Sequence, residues 1–176
     1  IVSSSTSCAA AITQDYPHLF AGDAAWQQQA AALAGRMIDF THFLHRIAAL
    51  PAGKFGCSPA RRTTYHDSCQ SFNCLGLSGE GRELIEEGAR GQVVEMADSS
   101  VCCGFGGTTS FDHPEVARRI AERKLVNIDA TGAPVVVADN PGCIMHLRGA
   151  LHARGSRVRV QHLAEYLAAG LPAGLV

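Results

Sequence analysis

The stretch PVVVADNPGC, residues 134–143, decides the fold. Its first half, Pro134 to Ala138, is apolar throughout, as in a strand covered on both faces. Its second half, Asn140-Pro141-Gly142-Cys143, starts a helix that runs to about Ala153 and closes at Gly155. A buried strand followed at once by a helix is the unit of a parallel sheet, because parallel neighbours need a crossover connection. The same junction places a cysteine at a helix N-terminus. There the free N–H groups and the helix dipole favour thiolate over thiol.

Working outward, the alternation repeats. Residues 62–66 (RTTYH) have strand chemistry, 80–90 form a short charged helix, and 92–97 (QVVEMA) a second strand. Residues 113–129 form a helix with Asp112 as its N-cap, Pro114 in the first turn, and an apolar face of Ala117, Ile120, Ala121, Leu125 and Ile128. Residues 157–161 and 162–169 add a last strand and helix. The expected fold is α/β: a parallel, Rossmann-like sheet with right-handed crossover helices. Before it, residues 23–49 read as one long amphipathic helix, with Trp26, Ala30, Leu33, Met37, Phe40, Leu44 and Ile47 recurring every three or four positions. Residues 1–8 read as a short strand leading through a Ser-rich turn to Cys8, a strand already under way at Ile1 as in a fragment of a longer polypeptide.

The cysteines follow the strands. Cys69 comes after 62–66, the pair Cys102–Cys103 after 92–97, and Cys143 after 134–138. Strand C-terminal ends lie along one edge of an open parallel sheet, so residues distant in sequence converge there. The glycines of Cys102-Cys103-Gly104-Phe105-Gly106-Gly107 allow a turn whose N–H groups form a nest for an anionic centre. Four cysteines in this pattern suit an iron–sulfur cluster or tetrahedral zinc. Two adjacent ligands converge awkwardly on one ion, which leans toward a cluster with separate irons. A vicinal disulfide at Cys102–Cys103, serving thiol–disulfide chemistry, is the third reading. His66 and His146 are candidates for extra ligands or outer-shell donors, His66 through a hydrogen bond to a cluster sulfur. Cys74 is a spare loop thiol and Cys57 an incidental one. Cys8 repeats the context of Cys143 and is assigned to a separate site.

Seven cysteines in 176 residues, an odd number with two adjacent and no secretion signal, argue against a secreted disulfide framework and for a cytoplasmic protein with metal or redox chemistry. A net charge of −1 offers no nucleic-acid surface, and no apolar run is long enough for a transmembrane helix. No Gly-rich dinucleotide fingerprint is present.

The strings TYHDSC (64–69), VCCGFGGTTSF (101–111), NPGCIMH (140–146) and VRVQHLAEYLAAG (158–170) together resemble the second cysteine-rich CCG domain of the lactate utilization protein A (L-lactate dehydrogenase iron–sulfur subunit) family. Glycolate oxidase iron–sulfur subunits and the cysteine-rich CCG subunits of heterodisulfide reductases are related. The opening SSSTSCAAAITQDYPHLF (3–20) is similar to the tail of a first CCG domain, with Cys8 at its last ligand position. The resemblance divides the chain into that tail (1–22), a connecting helix and loop (23–59) and the second CCG domain (60–176). It implies Cys69, Cys102, Cys103 and Cys143 as cluster ligands. His146 stands where heterodisulfide reductase relatives carry the last cysteine of Cys-x-x-Cys, which points to an ordinary [4Fe–4S] cluster. It also implies an electron-transfer subunit with no catalytic residue of its own. Its partners would be the other iron–sulfur and flavin subunits of a complex oxidising L-lactate or a related 2-hydroxy acid such as glycolate. Any attachment to a membrane would come through those partners.

Overall fold

A computed structural model describes residues 1–48, 50, 52–56 and 62–171. These residues form six strands: β1 (Val2–Ser3), β2 (Ile38–Asp39), β3 (Arg62–His66), β4 (Gln92–Val93), β5 (Val135–Ala138) and β6 (Arg159–His162). β3 to β6 make one sheet in the order β4-β3-β5-β6, every pair parallel, as the strand–helix alternation requires. β1 and β2 pair in parallel as a separate two-stranded sheet. Among the described residues no helix is long and apolar enough to cross a membrane.

β5 is the centre of the core, and all four of its residues are buried. Successive side chains point to opposite faces. Val135 and Val137 pack with Tyr65, Ile85, Leu163 and Leu167 on one face. Val136 and Ala138 pack with Leu125, Ile128, Leu147 and Leu151 on the other. The second group comes from the helices Pro114–Thr131 and Pro141–Ala153, whose apolar stripes cover that face.

Three sequence expectations need correction. The segment 23–49 is not one helix. A helix spans Ala24–Ala34, the chain turns at Gly35, β2 follows, and Asp39 caps a new helix at Phe40–His42 that continues as a π-helical turn over Phe43–Ile47. The apolar spacing runs through this break by coincidence; Trp26 and Ile47, counted in the stripe, are 56% and 62% exposed. Pairing with β1 is a long-range contact that helical periodicity does not register. The strand expected over 92–97 is ordered as β-structure only at Gln92–Val93, although the Val94 N–H still donates to the Thr63 carbonyl at 2.7 Å. Asp112 does not cap the helix 114–131; it ends a short helix, Thr109–Asp112, and His113 occupies the boundary without a side-chain cap.

The N-terminal region repeats a pattern from the C-terminal one. β5 ends at Ala138, Asn140 caps a helix two residues on, and Cys143 is its third residue. β1 ends at Ser3, Ser5 caps a helix two residues on, and Cys8 is its third residue. β6 and β2 each end in the cap of the next helix, His162 and Asp39. The two units touch. His162 Nδ1 accepts from the Ala164 N–H, so its Nε2 carries the proton and donates to the Ser4 carbonyl at 2.7 Å.

Candidate metal centre

Two strand ends and the loop after a third strand build the site. β3 ends at His66; Ser68 then caps the helix Cys69–Asn73, so Cys69 is its first residue. The Ser68 hydroxyl accepts from the Ser71 N–H at 3.1 Å. β5 delivers Cys143 through the Asn140 cap, whose side-chain oxygen accepts from the Gly142 N–H at 3.0 Å. The loop after β4 brings Cys102 and Cys103. Its shape depends on Gly104, with φ of 98°, where a Cβ would lie 2.5 Å from the Ala117 carbonyl. Only glycine permits both that dihedral and that approach.

His66, Cys103 and Cys143 are buried, and their donor atoms lie within 4.8 Å of one another. Cys102 is half-buried and its thiol hydrogen-bonds with that of Cys103. Cys69, also half-buried, lies close enough to Cys102 for that thiol to oppose its ionisation. The four expected cysteines therefore converge as a chain, Cys69–Cys102–Cys103–Cys143, with His66 at the buried end. All are free thiols.

Backbone donors surround the sulfurs. The Gly104 N–H reaches Cys102 Sγ at 3.3 Å, the Phe105 N–H reaches Cys103, and N–H groups of the Cys69–Asn73 helix reach Cys69. Such donors stabilise thiolate and tune a bound metal. Without a metal the crowded thiols resist ionisation. Cys102 is pushed far up, first by its hydrogen bond with Cys103 and then by burial. For Cys103, the Cys102 thiol lowers the pKa, but Cys143 and burial outweigh it, and the group stands at about 12. Burial and Cys102 raise Cys69. Thiols held neutral in this way are poor nucleophiles at pH 7.

One participant was not singled out from the sequence. Lys124 is 2% exposed, and its ammonium donates to the carbonyls of Asp98 and Ser99, at 3.2 Å for Ser99. Its charge acts on both Cys103 and Cys102. A buried cation beside thiols offsets the negative charge they take on when they bind metal. Its position was legible: Lys124 lies three residues after Ala121 and four before Ile128, inside the apolar stripe. The Ser99 carbonyl also accepts from His66 Nδ1 at 3.1 Å. Burial, then Lys124, lowers the His66 pKa to about 4 and keeps the ring neutral.

The other candidates stand apart. His146 packs against Phe105, ring centroids 6.2 Å apart, with its Nε2 beside Gly104 and outside the compact trio. Cys74 is half-buried, one helix turn beyond Cys69. Cys8 is exposed. Cys57 lies outside the described residues.

A family model of the CCG cysteine-rich domain matches residues 63–148, a span holding all four converging cysteines. Lactate utilization protein A of Oceanobacillus iheyensis is 34% identical over 167 residues, covering 95% of this chain and 67% of that protein. The chain belongs to the lactate utilization protein A family. Its namesake in Lysinibacillus sphaericus is 32% identical, over 95% of this chain and 72% of its own length. Lactate utilization protein A 2 of Bacillus cereus is 30% identical, over 97% and 70%. Within this family's CCG span, soft thiol donors, backbone N–H groups and a buried lysine fit an anionic, thiolate-bound metal centre.

Proposed function

We propose that the chain is an iron–sulfur electron-transfer subunit acting in the oxidation of L-lactate or a related 2-hydroxy acid, with Cys69, Cys102, Cys103 and Cys143 holding a [4Fe–4S] cluster. The convergence of four cysteines from three strand-end positions, backed by Lys124 and backbone donors, carries this reading. Bound there, the cluster supplies one-electron storage. The chain's own residues ligate it, hold it away from water with Leu125 and Ile144 around Cys103 and Cys143, and offset its charge through Lys124. The organic oxidation belongs to a partner subunit, and the setting is cytoplasmic. The names of the relatives support a place in lactate utilization.

The layout belongs to the same proposal. Residues 60–176 form a second CCG domain, 23–59 connect it, and 1–22 close a first one. The matching positions of Cys8 and Cys143 support assigning Cys8 to that first domain's site.

One observation favours a second reading. His66, Cys103 and Cys143 are compact enough to share a single tetrahedral zinc. Iron, zinc and acid-labile sulfide in protein handled without oxygen separate the two. Iron with matching sulfide, lost in Cys103→Ser and kept in Cys57→Ser, supports the cluster. Zinc alone, with no uptake of iron and sulfide, rejects it.

A further inference from the structure

His66 is the non-thiol donor at the buried end of the site, and three observations define what it offers. Its ring is fully buried, with 0% of the residue exposed. Its Nδ1 faces the Ser99 carbonyl at 3.1 Å, and a carbonyl can only accept, so Nδ1 carries the proton. Nε2 is then a bare lone pair. It has no hydrogen-bond partner among the described residues, and the His66 ring brings a nitrogen within 4.8 Å of the sulfurs of Cys103 and Cys143.

A buried acceptor left unmade costs about 1–3 kcal/mol. A neutral ring in this tautomer has no Nε2 proton to donate to a sulfur. A Nδ1–H held by a backbone carbonyl is the usual support of a metal-bound histidine, because it fixes the tautomer and aims the other nitrogen at the metal. The Lys124 ammonium on the same Ser99 carbonyl holds that support in place. His146 also has a buried Nε2 without a partner among the described residues, but it faces Gly104 and Phe105 rather than the thiols.

We propose that His66 Nε2 is a metal ligand, occupying a coordination position at the centre shared with Cys103 and Cys143. The assignment rests on the iron–sulfur reading above. A [4Fe–4S] cube asks for four ligands, and His66 would add a fifth donor to the four cysteines. At that fifth position a neutral imidazole adds no negative charge where a thiolate would, and imidazole in place of thiolate raises the potential of iron–sulfur centres. His66 thus makes the centre easier to reduce than a cysteine at the same position would.

The test uses the full chain labelled with ¹⁵N-histidine, loaded anaerobically with iron and sulfide, and studied by pulsed electron paramagnetic resonance in its paramagnetic state. The expected result is a strongly coupled nitrogen that disappears in His66→Gln and persists in His146→Gln. His66→Cys, which keeps a ligand in place, is expected to lose the nitrogen coupling, retain iron and shift the potential downward; it provides the same subtraction if His66→Gln does not fold. A cluster with no histidine coupling, or coupling that survives removal of His66, overturns the ligand and leaves the cluster reading standing. Uptake of zinc alone, with no cluster at all, overturns both.

Discussion

Cys8 and Cys143 occupy matching places in two strand–helix–strand–helix units, yet one is exposed and the other is buried among thiols. Each is the third residue of a capped helix, five positions past a strand end. The difference lies in the neighbours. β5 has β3 on one side and β6 on the other, so Cys143 meets Cys103 and His66. β1 pairs only with β2, and Cys8 belongs to no compact group of three metal-ligating side chains among the described residues. The strand–cap–helix junction makes a position for a ligand; adjacent strand ends turn the position into a site.

The sharpest way to break this comparison is to remove each cysteine. Cys143→Ser is expected to abolish most iron binding, and Cys8→Ser to leave iron in the Cys143 centre unchanged. Equal losses would mean that both cysteines serve one centre. Next in size is the brace at the end of β3, which has no counterpart beside β1 among the described residues. Arg82 grips Asp67 through two contacts of 2.8 Å and lies 5.1 Å above the Tyr65 ring. Arg82→Met leaves the nearly buried Asp67 carboxylate without its cation and should cost about 3 kcal/mol in urea unfolding. A loss under about 1 kcal/mol would show that the pair does not hold the strand end.

Asp139 sharpens the comparison through pH. It lies between the end of β5 and the Asn140 cap, 3% exposed, and burial, with Asp39 of the N-terminal unit adding, raises its pKa to about 6. Because the folded value is the higher one, its contribution to stability is fullest below about pH 4 and is lost as pH rises through 6. In the metal-free chain, Asp139→Asn should therefore gain on the wild type between pH 4 and pH 7, by up to about 3 kcal/mol. A constant gap across that range would contradict the shift. The caps give the smallest effects. Asn140→Ala should cost about 1 kcal/mol. Ser5→Ala should cost less, since its bond to the Cys8 N–H is long at 3.4 Å. Thermal unfolding of the two variants ranks them.

Much of this was legible because strong local signals agreed with the tertiary structure. The all-apolar run at 134–138, the Asn-Pro-Gly-Cys junction and the turn at Gly104 each dictate local geometry, and parallel topology brings their cysteines to one edge. The break in the 23–49 segment was not legible. β2 is only two residues long and depends on β1, while Met37 and Phe40 happen to keep helical spacing across it. The likeness between the two units is equally hidden, since it consists of strand ends and caps, with Ser5 matching Asn140 and Asp39 matching His162, rather than repeated residues. Lys124 was visible as a charge inside an apolar stripe, but its role depends on the Ser99 carbonyl, which only the fold places beneath it.

The central claim is that the four converging cysteines hold an iron–sulfur cluster. The most direct measurement is the iron, zinc and acid-labile sulfide content of the chain after anaerobic reconstitution. The account predicts iron and sulfide in equal amounts, with both lost together in Cys103→Ser. Tight zinc with neither iron nor sulfide would contradict it.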